Sequence, residues 1–114
     1  MYYLSFDLPT SVNKMYKRGH TRGLRLSAAA QIWKQYAVIM AQHQWKEQPL
    51  TGKLAITYRF FGSRADWDNM CKILGDAMNE IVYIDDSQII QAHVYMYREE
   101  KEDPRVDVEI QQLW

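Results

Sequence analysis

Cysteine is nearly missing from this chain. Among its 114 residues only Cys71 is present, which excludes an intramolecular disulfide and a cysteine-rich zinc site. No run of about 18 apolar residues occurs, so no membrane-spanning helix is expected. The N-terminal stretch MYYLSFDLPTS has neither a basic leader nor a long apolar segment. It is therefore not expected to act as a signal peptide, and a cytoplasmic location is the default. Net charge is lacking as well: 14 basic and 14 acidic residues give a formal +0, whereas nucleic-acid-binding domains are commonly basic. There is no internal repeat, low-complexity tract or Pro/Gly/Ser linker, and residues 1–114 are expected to form one domain.

What the chain does contain is enough for a core. Apolar residues make up 47% of it, including 4 Trp, 8 Tyr and 3 Phe, so disorder is not expected. The core is modest, and oligomerisation is one way to bury more surface. Charge is unevenly placed. The segment NKMYKRGHTRGLR, residues 13–25, holds Lys14, Lys17, Arg18, Arg22 and Arg25 and no acid. Acidic residues gather at 66–86 and 99–109. Such segregation separates a phosphate-attracting surface from an acidic pocket.

The hydrophobic periods predict the order β–arm–α–β–α–β–β. YYLSFDL reads as a first strand ended by Pro9. Residues 10–25 read as an irregular basic arm, with a short strand at Leu24–Leu26. Ser27 is placed to cap a long helix over about 28–46, on which Ile32, Tyr36, Ile39 or Met40, and His43 recur at helical spacing. KLAITYRFF alternates Leu54, Ile56, Tyr58 and Phe60 against Ala55, Thr57, Arg59 and Phe61, a strand pattern. A short helix is expected over about 68–80, with Met70, Ile73, Leu74, Ala77 and Ile81 as its buried stripe. IIQAHVYMYR reads as a strand with Ile90, Ala92, Val94 and Met96 on one face. RVDVEIQQL, after the turn EEKEDP, is expected to close a hairpin with it. The fold class is α/β of the α+β type: a small mixed or antiparallel sheet of about four strands with two helices.

The densest chemistry lies in SRADWDNMCKILGDAMN, residues 63–79. Asp68, Lys72 and Asp76 are spaced i, i+4, i+8 and share one stripe of the short helix. Asp66 lies just before it, where it can cap the helix or point back beside Asp68. Asp85 and Asp86 follow after a length of chain that allows a return towards the helix. Singly, these residues have ordinary roles: an N-terminal cap, an i, i+4 ion pair, a polar turn. Together they ask for more. A cap needs one aspartate, not the two of DWD, and close carboxylates repel unless a cation intervenes. A hard divalent ion such as Mg²⁺ takes oxygen ligands, keeps waters, and is held by one or two carboxylates together with phosphate. It activates water and neutralises a leaving oxygen. Lys72 is then available to hold the phosphate or stabilise its transition-state charge.

Other chemistries fit less well. His20, His43 and His93 lack zinc-type spacing, and His43 is expected to pack on its helix. No Gly-rich phosphate loop or G-x-S-x-G motif is present. Cys71 lacks a neighbouring histidine and reads as a packed small residue. The arm's cations suit phosphate contacts, which position a nucleic acid without reading its sequence. Arg59 and Arg64 are expected to flank the acidic pocket, and Trp67 to anchor its loop in the core, with stacking on a base as the alternative.

These motifs resemble the RusA-type Holliday junction resolvases, crossover junction endodeoxyribonucleases common on prophages. RADWDNMCKILGDAMN resembles the family pattern D-x-D-N-x-x-K-x-x-x-D-A, and YIDDSQII resembles its D-D-x-Q segment. LPTSVNKMY and LSAAAQIWKQY resemble its N-terminal segment and the start of its long helix. The resemblance implies a homodimeric α/β nuclease, acting in DNA recombination and repair, that needs Mg²⁺, with Mn²⁺ as a substitute. It implies paired symmetric nicks across a four-way junction, leaving ends that a ligase can seal. It implies that Asp66, Asp68 and Asp86 bind metal and act catalytically with Lys72, and that Asp76 and Asp85 support them. Asn13 and Lys14 would lie near the DNA, with Lys17, Arg18, Arg22, Arg25 and Arg64 as further contacts. A nuclease of the same fold acting on flaps or other branched DNA, and a non-catalytic DNA-binding dimer, are the alternatives. Neutral overall charge departs from what the resemblance implies for a strong DNA binder.

Overall fold

A computed structural model describes residues 1–8, 16–18, 24–26, 28–63 and 66–114. It is an α+β structure with a four-stranded mixed sheet and two helices. Strand β1 (Tyr2–Asp7) is followed by two short strands, β2 (Tyr16–Arg18) and β3 (Leu24–Leu26). Helix α1 (Ala28–Gln44), strand β4 (Leu54–Phe61), helix α2 (Trp67–Met78), strand β5 (Ile89–Tyr97) and strand β6 (Arg105–Gln112) complete the chain. The main sheet runs β1–β6–β4–β5. The expected strand at Leu24–Leu26 is present, but the arm is not wholly irregular: β2 pairs with β3 as a separate antiparallel ribbon, with Lys17 opposite Arg25. Pro9 and Ser27 fall outside the described residues.

The alternation expected for β4 holds along its length. Leu54, Ile56, Tyr58 and Phe60 are buried, while Ala55, Thr57, Arg59 and Phe61 are half-buried on the other face. Val106, Val108 and Ile110 of β6 and Leu4 and Phe6 of β1 extend the same buried face. Helix α1 covers it with Ala30, Trp33, Ala37 and Ala41, not with the stripe expected from the sequence. Ile32, Tyr36 and Ile39 are exposed, and so is His43. Small residues win the inner face because α1 packs directly on α2 and beside β1, where alanines permit close approach.

The expected β5–β6 hairpin does not form. β6 lies between β1 and β4 and is antiparallel to both, whereas β5 pairs in parallel with the far side of β4. Burial explains the order: Val106, Val108 and Ile110 are fully buried and need a central strand, while β5 is largely exposed. The β5–β6 connection therefore crosses the end of β4 at Gly62. There the backbone N–H of Gly62 donates to the Tyr97 carbonyl at 3.0 Å. β5 also carries an irregularity. Leu54 pairs with Ile89 but Ala55 with Gln91, so Ile90 is an extra residue. Ile89 takes the inward place, and Ile90 is 46% exposed rather than buried with Val94 and Met96.

Gly62 has φ 71°, and a Cβ there would sit 2.8 Å from the Glu100 carbonyl oxygen. Gly62→Ala should lower stability by about 1–3 kcal/mol, because it combines a left-handed backbone with a backbone clash. Urea unfolding followed by tryptophan fluorescence measures it.

Candidate active site

Helix α2 begins where the sequence places its cap. Asp66 is the N-cap residue, and its carboxylate accepts a hydrogen bond from the Asp68 N–H at 3.1 Å. The helix buries Met70, Ile73, Leu74, Gly75, Ala77 and Met78, which turns Asp68, Lys72 and Asp76 outward together. Ile81 lies past the helix end and is half-buried. Trp67 is 44% exposed at the first turn and does not anchor the loop in the core. The outer face of α2 has no buried slot for an indole when every inward position is already filled.

Lys72 has no ion pair among the described residues. Asp76 pairs instead with Lys34 of α1, at 3.8 Å between partly exposed groups. Such a contact is worth little energetically, but it ties Asp76 to the α1–α2 packing rather than to Lys72. Arg59 lies on the opposite face of the sheet from Tyr58, paired with Glu109 at 3.8 Å, and does not flank the acids. Asn13, Lys14, Arg22 and Arg64 lie outside the described residues. Lys17, Arg18 and Arg25 belong to the β2–β3 ribbon.

The second acidic segment is held by a side chain that sequence reasoning passed over. Residues Asp86–Gln88 form one 3-10 turn capped by Asp85. Oε1 of Gln88 accepts from the backbone N–H groups of Ile84 and Asp85 at 2.8 and 2.9 Å. Its Nε2 donates to the carbonyls of Leu50 and Gly52, both at 2.9 Å. Gln88 thus clamps the turn to the chain leading into β4. The signal was visible: an acid followed three residues later by Gln is the capping-box pattern. Asp85 completes the box by accepting at its side chain from the Gln88 backbone N–H, and it also accepts from Ser87 N–H at 3.0 Å. Hydrogen bonds from the Ser87 side chain and backbone hold its carboxyl below the ordinary range. Asp85 is therefore engaged by its own turn, while Asp86 is exposed and its carboxylate makes no hydrogen bond among the described residues.

Tyr83 joins the turn to α2. Its hydroxyl donates to the Gly75 carbonyl at 2.9 Å inside the core. Burial raises its pKa, and the charges of Asp86, Asp76 and Asp85 raise it further. Tyr58 is raised by burial, then by Tyr83, Cys71 and Asp86. Burial and the charge of Asp68 push Cys71 up to about 12. The acids of α2 and of the turn thus border the same row of buried groups, and among the described residues no basic side chain forms an ion pair with Asp68 or Asp86. Among the described residues, no three His, Cys, Asp or Glu side chains are arranged as a metal-holding group. The adjacent carboxylates of Asp66 and Asp68 nevertheless suit a hard cation in donor type and number, since Mg²⁺ commonly takes one or two carboxylates and completes its shell with water and phosphate.

A family model described as endodeoxyribonuclease RusA matches residues 7–111. The chain belongs to the RusA endodeoxyribonuclease family. It is also similar to a protein of Bacillus subtilis (strain 168) described as uncharacterized protein YqaN, at 25% identity with 79% of each chain covered. RusA-family enzymes are Holliday-junction-resolving endonucleases. The match spans both acidic segments and the β2–β3 ribbon. No helix among the described residues is long and apolar enough to cross a membrane.

Two predictions follow from this geometry. Gln88→Ala removes four hydrogen bonds, mostly exposed ones, and should cost about 1–2 kcal/mol in urea unfolding. Hydrogen exchange at the Asp85 and Ser87 amides should quicken in the same variant. A thiol pKa of about 12 leaves roughly one Cys71 in ten thousand as thiolate at pH 8. An aromatic disulfide reagent should therefore label the folded protein at least about a hundredfold more slowly than the urea-unfolded one. Its rate should climb with pH, and Asp68→Asn should speed it by removing the second cause of the shift.

Proposed function

We propose that this chain is a Mg²⁺-dependent, structure-specific endonuclease that resolves four-way DNA junctions by paired symmetric nicks as a homodimer. The observation that supports this most is the family match over residues 7–111, which takes in the exposed Asp66, Asp68, Lys72 and Asp86, with Asp68 and Asp86 in no ion pair among the described residues. Asp66 and Asp68 would hold the cation, with Asp86 presented from the Gln88-clamped turn. When bound, Mg²⁺, or Mn²⁺ in its place, supplies Lewis-acid polarisation of the phosphoryl group and a more acidic water. Lys72 meets the scissile phosphate and stabilises the charge that grows on it. Asp85 and Asp76 act indirectly, the first by capping the turn and the second by bracing α2 against α1. Lys17, Arg18 and Arg25, with Asn13, Lys14, Arg22 and Arg64, contact phosphates. Local rather than overall charge does this work in a chain of net charge +0.

Synthetic four-way junctions, flaps and linear duplexes incubated with Mg²⁺ test the reading. Paired nicks confined to the junction are expected. Cleavage of flaps alone would move the protein to another branched substrate, and cleavage of none would leave a DNA-binding dimer without catalysis. Asp68→Asn should keep junction binding in a gel-shift assay and lose cleavage. Lys72→Met should reduce the single-turnover rate by about a hundredfold or more. Normal cleavage by Asp68→Asn would overturn the assignment of metal ligands.

A further inference from the structure

Of the 4 tryptophans in the chain, two hold the fold together. Trp33 and Trp45 are buried, and their indole N–H groups donate to the carbonyls of Asp7 and Gln48 at 3.0 and 3.2 Å. Trp114 is exposed beyond β6. Trp67 differs from all of these. It is 44% exposed, and among the described residues its indole makes no hydrogen bond, ring stack or cation–π contact. Aromatic surface left in water is unfavourable, and helix propensity does not call for it, because tryptophan ranks below leucine, lysine and glutamine. Its place is the informative part. Trp67 is the first residue of α2, with Asp66 before it and Asp68 after it. The Asp66 carboxylate folds back onto the Asp68 N–H, which fixes it on the same first turn as the indole. Neighbouring helical residues stand about 100° apart around the axis, so Trp67 flanks Asp68 rather than covering it.

We propose that Trp67 stacks on an unpaired nucleobase beside the phosphate at Asp66 and Asp68, and so makes the protein prefer branched DNA to continuous duplex. The inference rests on the nuclease reading above, which supplies the DNA. Carboxylates repel phosphate, so the part of DNA that can rest on an indole between two acids is the uncharged face of a base. Every base has such a face, and the contact therefore tolerates any sequence. The reach fits. The Trp67 Cα is about 3.8 Å from the Cα of each flanking acid, and successive nucleotides of one strand are about 3.4 Å apart along the duplex. The base that meets the indole is then at the scissile phosphate or next to it. In continuous duplex each base is stacked on both sides, and freeing one costs both pairing and stacking. At a branch point the stack is already interrupted, so the same base is freed at lower cost. Trp67 thus selects branch points by how easily a base comes free, not by which base it is. A protein partner fits less well, because a lone indole between two carboxylates is not a contiguous apolar patch.

Equilibrium binding of the full chain to four-way junctions, flaps and linear duplexes of shared sequence tests it, with Ca²⁺ replacing Mg²⁺ and fluorescence anisotropy as the readout. The wild type should prefer the branched substrates. Trp67→Leu should narrow that preference by about tenfold or more while leaving duplex affinity within about twofold, and Trp67→Phe, which can still stack, should keep it. Junction binding should quench the tryptophan emission of the wild type and of Trp114→Phe, but not that of Trp67→Phe. A merely structural role would not produce that signature. Far-UV circular dichroism should be unchanged throughout, because the indole holds nothing in place. An unchanged preference in Trp67→Leu, an equal loss of affinity for junction and duplex, or quenching that survives in Trp67→Phe would each overturn the inference. If Trp67→Leu does not fold, the emission of Trp67→Phe decides. None of these readouts involves cleavage. A Trp67→Leu variant that cuts junctions and keeps its preference would preserve the nuclease reading and lose this one. A wild type that stacks on bases and cuts nothing would do the reverse.

Discussion

Parallel pairing of β4 and β5 is the constraint on which the rest of this structure depends. Parallel strands cannot be joined by a tight turn; they need a crossover of a dozen residues or more, usually with a helix in it. Here residues 62–88 make that crossover, and α2 is its helix. Every member of the proposed catalytic set — Asp66, Asp68, Lys72 and Asp86 — lies within it, as do Asp76 and Asp85. Because β4 buries Leu54, Ile56, Tyr58 and Phe60 on one face, the crossover must pack over that face. The acids then stand on its outer surface above Cys71, Tyr58 and Tyr83. Their charge registers on those buried groups because the intervening medium is protein rather than water.

Much of this was legible because it is periodic. The period-two pattern of β4 and the 3.6-residue stripe of α2 each have one physical solution, and the chain adopts both. Where two solutions competed, local pattern did not choose correctly. α1 carries two apolar stripes, and the bulkier one, Ile32–Tyr36–Ile39, is exposed. The alanine stripe lies inward because of how close α2 must come, a property of the partner rather than of the helix. β6 followed β5 too closely to be read as anything but its hairpin mate. Its central place is set by the burial of Val106, Val108 and Ile110 on both neighbours' behalf, and by a glycine at residue 62 over which the connection can pass.

The site shows the same division. Asp66 as a cap and the outward line of Asp68, Lys72 and Asp76 follow from helix geometry alone. Partners supplied by other elements do not. Lys34 reaches Asp76 from α1, and Glu109 takes Arg59 on the far face of the sheet. Spacing along one helix suggested a Lys72–Asp76 pair; packing between two helices gave Asp76 a different cation and left Lys72 without an ion pair among the described residues.

The aspartate pair at 85–86 shows how one dipeptide divides its labour. The two residues have the same chemistry and both are exposed. Asp85 is engaged by its own turn: its carboxylate accepts from Ser87 N–H, and its backbone N–H is bound by Gln88. These bonds favour the ionised form and lower its pKa. Asp86 takes part in none of them through its side chain, yet the turn that Asp85 and Gln88 build determines where it stands. Asp66 gives one oxygen to a single backbone donor and keeps the other for a cation, Asp85 accepts from the backbone of both Ser87 and Gln88, and the Asp86 carboxylate is unengaged among the described residues, so Asp85 is the poorest candidate of the three for a cation. The first aspartate and the glutamine therefore have a physical reason to accompany the second: they fix a charge in a position that an unsupported loop would not hold.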